Sequence, residues 1–225
     1  MKKYILFDLD GTLTDPAEGI TKCVSYALSH FGMEEKPENL TSFIGPPLLE
    51  QFESFAHFDR ETAAAAVEKY RERYRGTGIF ENRVLDGVSE MLSALRDAGC
   101  VLCVASSKPE VFVKLILEKY GLSDFFTVVC GSELDGTRSK KCDIIEETLA
   151  RLGVLFPVMD FSDRAECLMV GDRKHDIEGA HRCGMEAVGV TFGYAEPGEL
   201  ENAGADMIVS EWGELLHFAA GETSL

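Results

Sequence analysis

KYILFDLDGTLTD, residues 3–15, is the stretch that decides the fold of this 225-residue chain. Its apolar run from Tyr4 to Phe7 predicts a short buried strand rather than an amphipathic helix. Asp8 ends that strand, and Asp10 follows it into a glycine turn. Two acids at the end of a core strand indicate a ligand site, because a buried charge costs several kcal/mol unless it is paired or bound to a metal. Taken alone, D-x-D-G is equally compatible with a surface turn.

The composition is that of a globular protein, with 45% apolar residues and a net charge of −17. We expect neither a signal peptide nor a membrane span, because no basic and apolar leader and no run of about 18 apolar residues occurs. The seven cysteines are an odd number and several lie in apolar runs, which favours a reducing, cytoplasmic location. The negative charge disfavours binding to nucleic acid or to anionic membranes.

A helical block interrupts the chain after the first strand. Helical periodicity is predicted over residues 16–32 and again over residues 59–75, and no strand pattern appears before Asn82. We therefore expect two domains: a core formed by residues 1–16 and 82–225, and a small all-helical domain formed by residues 17–81. The basic residues of the second helix are expected to form a solvated face: Lys69, Arg71, Arg73 and Arg75.

Strand and helix patterns alternate after this insert. The strand patterns lie at residues 100–105, 126–130, 165–170, 186–191 and 207–209, with helical patterns between them. Such alternation predicts an α/β fold with a doubly wound parallel sheet and right-handed crossovers.

Polar residues follow the strand at residues 100–105. Ser106, Ser107 and Lys108 lie between this strand and the next helix. A hydroxyl group at such a position can bind an anion together with the free N–H groups of the helix N-terminus. Ser106 considered alone is better explained as a helix N-cap.

Two further segments carry charges that local structure does not explain. Lys140 and Lys141 open a helix, where a cation opposes the helix dipole unless an anion is bound. Asp172 ends another buried strand, and Asp176 follows one helical turn later. If the substrate were a phosphate, its site would have to be locally positive although the protein is acidic. Such a site needs lysines and a divalent cation close together.

Four segments together resemble the signatures of the haloacid dehalogenase (HAD) superfamily of phosphotransferases. They are D-L-D-G-T-L-T-D at residues 8–15, Ser106, R-S-K-K at residues 138–141, and G-D-x-x-x-D at residues 171–176. FIGPPL at residues 43–48 and the R-S-x-K pattern are similar to the phosphoglycolate phosphatase-like branch. The resemblance implies a Rossmann-like core with the first strand central, between the strands that end at Ser106 and Asp172, and an inserted helical cap domain.

The resemblance also implies roles for individual residues. Asp8 is the expected nucleophile and Asp10 the expected general acid and base. Mg²⁺ is expected to bind the carboxylates of Asp8 and Asp172 and the main-chain carbonyl of Asp10. Asp176 either orients this metal site or complements the helix N-terminus. The expected substrate-binding residues are Ser106, Ser107, Lys108 and Lys141, with Lys141 favoured over Lys140 and with Ser107 departing from the usual Asn.

The function implied is a Mg²⁺-dependent phosphatase that hydrolyses a small phosphomonoester through an aspartyl phosphate, similar to phosphoglycolate phosphatase. A β-phosphoglucomutase-like phosphosugar mutase and a 5'-nucleotidase remain open as alternatives. A phospho-ligand-binding protein without turnover is the non-enzymatic alternative. The expected partner is a small phosphorylated metabolite, and the expected state is a monomer or homodimer.

Overall fold

The computed structural model describes residues 1–134, 137–156 and 164–221. The chain divides into two compact units. Met1–Leu13 and Val84–Leu225 form the first unit, and Thr14–Arg83 forms the second. In the part of the chain that the structure describes, no helix is long and apolar enough to cross a membrane.

The strands form one large and one small sheet. They are β1 (Tyr4–Phe7), β2 (Thr14–Asp15), β3 (Arg83–Val84), β4 (Val101–Pro109), β5 (Val128–Ser132), β6 (Cys167–Gly171), β7 (Glu186–Val190) and β8 (Met207–Val209). Among the described residues, six of these strands make a sheet with the order β5-β4-β1-β6-β7-β8, and β2 pairs separately with β3. Every pairing whose register is resolved in the large sheet is parallel. The predicted doubly wound α/β fold with β1 at its centre is therefore confirmed.

The helices divide between the two units. They are α1 (Ala17–His30), α2 (Leu48–Phe55), α3 (Arg60–Gly76), α4 (Val88–Asp97), α5 (Glu110–Lys119), α6 (Lys141–Leu155), α7 (Lys174–Arg182), α8 (Glu199–Asn202) and α9 (Trp212–Ala220). The first three belong to the second unit, and the others belong to the first unit, where they flank the sheet.

The central strand β1 is buried on both faces. Tyr4 and Leu6 pack in one hydrophobic cluster with Ile144 of α6 and Ile177 of α7. The alternate residues of the strand point to the opposite face and are fully buried as well. This two-sided burial explains why the sequence of β1 is a continuous apolar run rather than an alternating one.

The register of the sheet brings three strand ends to one edge. Phe7, the last residue of β1, is level with Val104 of β4 and Val170 of β6. Asp8 adds one more hydrogen bond to the sheet, since its N–H donates to the Val170 carbonyl at 2.9 Å. Residues that follow β1 and β6, or that lie late in β4, therefore meet at the same edge.

The structure departs from the sequence prediction mainly at element ends. β4 continues to Pro109 through a register shift after Ser106, whereas the pattern predicted an end at residue 105. Gly131 of β5 allows this irregularity, because a Cβ atom there would lie 2.5 Å from the Lys108 carbonyl oxygen. The pair β2 and β3 was not predicted, since strands of two residues carry no periodic signal.

The second unit is helical apart from its short strands. Asp59 caps α3 by accepting a hydrogen bond from the Thr62 N–H at 2.8 Å. Arg73 of α3 donates to both carboxylate oxygens of Glu81, at 2.6 and 3.0 Å, and its side chain is only 23% exposed. The prediction of a solvated face was therefore wrong for Arg73. Glu81, which lies beyond the end of α3, pairs with it and keeps it partly buried.

Candidate active site

Asp8 and Asp10 occupy the turn that follows the central strand. Asp8 is buried, with 9% of its surface exposed. The turn closes through the Thr12 and Leu13 N–H groups, which both donate to the Leu9 carbonyl. Gly11 adopts a φ of 80°, in the left-handed region where glycine is favoured. The two acids of the D-x-D string therefore lie at the sheet edge, as their place in the sequence predicts.

Lys108 is the ionic partner of Asp10. Its Nζ atom lies 2.7 Å from Asp10 Oδ1 and 2.5 Å from Asp10 Oδ2, and both side chains are largely buried. Burial raises the pKa of Asp10, while the nearby Lys108 opposes the rise. A carboxyl group with a raised pKa that remains paired with a cation can both release and accept a proton.

Lys141, the first residue of α6, lies between Asp8, which follows β1, and Asp176 of α7. Its Nζ atom is 3.0 Å from Asp8 Oδ1 and 2.7 Å from Asp176 Oδ1, and it donates to the Ala105 carbonyl at 3.0 Å. Burial acts to lower the pKa of Lys141, but Asp176 and Asp8 outweigh it, so the pKa is raised and the ammonium stays charged. Lys140 is exposed at the N-cap position.

Asp172 follows β6 and is only 1% exposed. Its Oδ2 accepts a hydrogen bond from the Tyr194 N–H at 2.7 Å, and its Oδ1 accepts one from the Thr12 hydroxyl at 3.4 Å. Burial is the main cause that raises the pKa of Asp172 well above its usual range, and repulsion from Asp176 and Asp8 adds to it. The carboxylate is therefore fixed in position but poorly neutralised by the protein.

Asp176 contacts both the N-terminus of α7 and Lys141. It is the third residue of α7, and its carboxylate accepts the N–H of the N-cap residue Arg173 at 3.1 Å, which satisfies a free donor at the helix N-terminus. The same carboxylate faces Lys141. Burial raises the pKa of Asp176 although Lys141 favours its charged form. One carboxylate oxygen of Asp176 therefore caps the helix, and the other contacts Lys141.

The serines predicted to bind phosphate differ in their surroundings. Ser106 is 2% exposed in β4, and its hydroxyl oxygen accepts the Lys108 N–H at 3.3 Å. Ser107 is half-buried. The Ser106 hydroxyl hydrogen remains available to donate to an anion, since this contact uses the oxygen only as an acceptor.

The carboxylates fit a hard divalent cation. Asp8, Asp172 and Asp176 each offer one oxygen, and these three oxygens lie within 4.8 Å of one another. One ammonium, that of Lys141, faces two of these acids, so the three carboxylates carry an excess of negative charge in a buried place. Oxygen donors of this type suit Mg²⁺. The sequence prediction named the Asp10 main-chain carbonyl, not its side chain, as a metal ligand beside Asp8 and Asp172, and the Asp10 carboxylate pairs with Lys108.

Glycines at close contacts were missed as site residues by the sequence reasoning. A Cβ atom at Gly11 or at Gly193 would overlap Asp172, and one at Gly193 would also lie 2.5 Å from the Gly11 carbonyl oxygen. A Cβ atom at Gly171 would likewise overlap Asp176. One at Gly179 of α7 would overlap the side chain of Lys141. The glycines of G-D-x-x-x-D and F-G-Y were visible in the sequence, but no local pattern showed which side chain each one faces.

The model of the family described as haloacid dehalogenase-like hydrolase matches residues 5–190. The chain belongs to this family. The matched residues include most of β1 and all of β4, α6, β6 and α7, and they contain the acids and lysines described above.

Similar proteins place this haloacid dehalogenase-like hydrolase among phosphoryl-transfer enzymes. It is 47% identical over 197 residues to a 5'-nucleotidase of Pseudomonas aeruginosa, covering 87% of this chain and 86% of the nucleotidase. It is 37% identical over 193 residues to the tyrosine-protein kinase PtkA of Mycobacterium tuberculosis (strain ATCC 25618 / H37Rv), with 85% of this chain but only 63% of the kinase covered. The chain thus spans less than two thirds of that kinase.

A solved structure shares the whole architecture of this haloacid dehalogenase-like hydrolase. The crystal structure described as a predicted phosphatase from Clostridium acetobutylicum has a TM-score of 0.89 and 42% identity, with 98% of this chain and 99% of that chain covered. The chain is therefore an enzyme with the hydrolase fold of this family, and phosphatases are among the proteins it resembles.

Proposed function

We propose that the protein hydrolyses small phosphomonoesters and that Asp8 is the nucleophile. The observation that carries the proposal is the position of Asp8, which directly follows the central strand and lies 3.0 Å from the charged Lys141. The adjacent cation holds the carboxylate in position and attracts the negative phosphoryl group toward it. Attack forms a bond from an Asp8 oxygen to phosphorus and breaks the bond to the leaving alcohol, which yields an aspartyl phosphate.

Mg²⁺ is the proposed cofactor. The carboxylates of Asp8 and Asp172 would hold it, with the Asp10 main-chain carbonyl as the third protein ligand that the family resemblance implies. Asp176 either joins this set or positions it through Lys141. When bound, the ion neutralises charge on the phosphoryl oxygens.

Asp10 is the proposed proton carrier. Its carboxyl group donates a proton to the oxygen of the leaving alcohol and then accepts one from the water that hydrolyses the aspartyl phosphate. The raised pKa of Asp10 and its contact with Lys108 support this assignment. Lys108 holds the carboxyl group in place and would also contact the substrate from the loop after Ser106.

The remaining residues of the site are proposed to bind the phosphoryl group, by holding it in position and neutralising its charge. Ser106 donates its hydroxyl hydrogen, and Lys141 supplies a positive charge beside Asp8. Ser107 and Lys108 complete the proposed set from the loop after Ser106. None of these residues takes part in a covalent step, so they act by lowering the energy of the charged transition state.

Two substrate classes have separate support. The 47% identity to a 5'-nucleotidase favours a nucleoside 5'-monophosphate. The FIGPPL segment and the R-S-x-K pattern favour phosphoglycolate through the family resemblance. A mutase or a kinase would instead pass the phosphoryl group to a hydroxyl group. Release of inorganic phosphate separates hydrolysis from both of these transfers.

The experiment measures inorganic phosphate released from a nucleoside 5'-monophosphate and from phosphoglycolate, with Mg²⁺ or with EDTA. We expect phosphate release by the wild type with Mg²⁺, none with EDTA, and a loss of at least about 10³-fold in Asp8→Asn. Asp97→Asn, an exposed acid on α4, is the matched control and keeps full activity. Full activity in Asp8→Asn would refute the proposal, and binding of Mg²⁺ without phosphate release would favour the non-enzymatic alternative.

A further inference from the structure

Two cysteines outside the proposed reaction lie in contact beside the site. Cys142 is in the first turn of α6, directly after Lys141, and Cys183 is the C-cap residue of α7. Their Sγ atoms are 2.7 Å apart, and the Cys183 Sγ also lies 3.5 Å from the Cys142 carbonyl oxygen. Both cysteines are free thiols, and Cys142 is the more exposed of the two.

The two helices are closely packed at this point. Gly179 of α7 faces the first turn of α6, since a Cβ atom there would lie 2.7 Å from the Lys141 Cβ and 3.3 Å from the Cys142 nitrogen. A disulfide bond is about 2.05 Å long, so the two sulfurs have less than about 1 Å to close. Such a displacement is within the reach of side-chain rotation.

We propose that Cys142 and Cys183 are a site of reversible oxidation. A peroxide oxidises the two thiols to a disulfide that links α6 to α7. The proposal rests on the contact between the two thiols and does not depend on the proposed phosphatase reaction. Both helices carry a residue of the candidate active site, Lys141 on α6 and Asp176 on α7, whose charged groups are 2.7 Å apart. A bond between the helices therefore restrains this ion pair.

The reaction balances with hydrogen peroxide as the oxidant. The deprotonated Cys142 sulfur attacks one peroxide oxygen, the O–O bond breaks, and hydroxide leaves and takes up the thiol proton to become water. The Cys142 sulfenic acid then loses its oxygen as a second water when the Cys183 sulfur attacks it. Two thiols and one peroxide thus give one disulfide and two waters.

The order of the two steps follows from exposure. Cys142 is half-buried, whereas Cys183 is only 7% exposed and burial raises the pKa of its thiol. A buried thiol with a raised pKa reacts slowly with peroxide but attacks a neighbouring sulfenic acid efficiently, because that sulfur is already in contact. A thiol reductant reverses the bond by exchange.

The test treats the full chain with hydrogen peroxide, alkylates the remaining thiols, and measures intact mass and disulfide-linked peptides. We expect two fewer alkylated thiols, one peptide pair containing Cys142 and Cys183, and full reversal by dithiothreitol. The thermal midpoint should rise by about 5 °C or more, since the bond closes a loop of about 40 residues in the unfolded chain. Amide hydrogen exchange in the first turn of α6 and the last turn of α7 should slow.

Matched variants make the outcome decisive. Cys142→Ser and Cys183→Ser should each lose the linked peptide, the midpoint rise and the slowed exchange. Cys100→Ser, which removes a half-buried cysteine directly before β4, should keep all three. An unchanged count of alkylated thiols in the folded wild type, or a disulfide that survives in Cys142→Ser, would overturn the proposal.

Discussion

The ammonium group of Lys141 lies 3.0 Å from Oδ1 of Asp8, so the first turn of α6 reaches the carboxylate that ends β1. The same ammonium lies 2.7 Å from Asp176 of α7. One buried cation therefore joins acids that follow two different strands of the sheet. This contact neutralises only part of the charge of the site, which leaves room for a second cation.

Replacement of Lys141 by methionine removes this charge while keeping most of the side-chain volume. Asp8 and Asp176 then repel each other, and the phosphoryl oxygens lose a positive neighbour. We expect kcat/KM for phosphate release to fall by about 10²–10³-fold. Lys140→Met is the control, because Lys140 is adjacent but exposed, and should keep its activity. Equal losses in the two variants would show that Lys141 has no special role.

Lys108→Met tests the partner of Asp10. Without the contact at 2.7 Å, the Asp10 carboxyl group is no longer held in one orientation, so kcat should fall by about 10²-fold. Lys114→Met is the control, because Lys114 forms an exposed pair with Glu110 one turn along α5. Steady-state rates with circular dichroism of both variants check the result, and a folded Lys108→Met enzyme with wild-type kcat would contradict it.

Gly193→Ala tests the packing of the loop after β7 against Asp172. The φ of Gly193 is not in the left-handed region, so the effect of alanine comes from contact alone. The added Cβ would overlap Asp172 and lie 2.5 Å from the Gly11 carbonyl oxygen. We expect a destabilisation of about 1–3 kcal/mol together with at least a tenfold loss of activity.

Gly213→Ala is the matched control for that substitution. Gly213 lies in α9, and a Cβ atom there meets no heavy atom within 4 Å. The thermal midpoint and activity of Gly213→Ala should be unchanged or slightly higher, since alanine favours a helix over glycine. A Gly193→Ala protein as stable and active as Gly213→Ala would show that the loop does not fix Asp172.

Glu199→Gln should lower stability in a pH-dependent manner. Burial alone would raise the pKa of Glu199, but hydrogen bonds from Arg173 and from the Lys174 and Glu196 N–H groups hold it at about 2. A folded-state pKa below the unfolded value adds stability above about pH 4.3, and this stability is lost as the pH falls toward 2. At pH 7 we expect Glu199→Gln to be about 2 kcal/mol less stable than the wild type.

Urea unfolding at a series of pH values measures this difference. The difference in unfolding free energy between wild type and Glu199→Gln should narrow as the pH falls from about 5 to about 2. Glu201→Gln, on the same helix but exposed, should match the wild type throughout. A gap that stayed constant with pH would mean that the Glu199 contacts act through packing rather than through charge.

Much of the fold could be predicted because its signals are local. The apolar run of β1, the acids that end β1 and β6, and the alternation of strands and helices each depend on neighbouring residues. The central position of β1 then followed from the family resemblance, and the observed strand order confirms it. Parallel pairing brings these strand ends together whatever the loops between them contain.

The remaining features depend on contacts between distant parts of the chain. No local pattern shows that Arg73 meets Glu81, that Gly193 packs on Asp172, or that the Asp10 carboxylate pairs with Lys108. Asp176 was ambiguous for the same reason, because its helix-capping role is local while its contact with Lys141 is not. Tertiary packing decides such contacts, and a single sequence carries little information about it.

The central claim is that Asp8 becomes phosphorylated during turnover. The most direct measurement quenches the enzyme with acid during reaction with a ³²P-labelled phosphomonoester and maps the labelled peptide. We predict label on Asp8, more of it in Asp10→Asn, where hydrolysis of the intermediate is slowed, and none in Asp8→Asn. Steady release of phosphate with no labelled protein in either the wild type or Asp10→Asn, or label on another residue, would contradict the account.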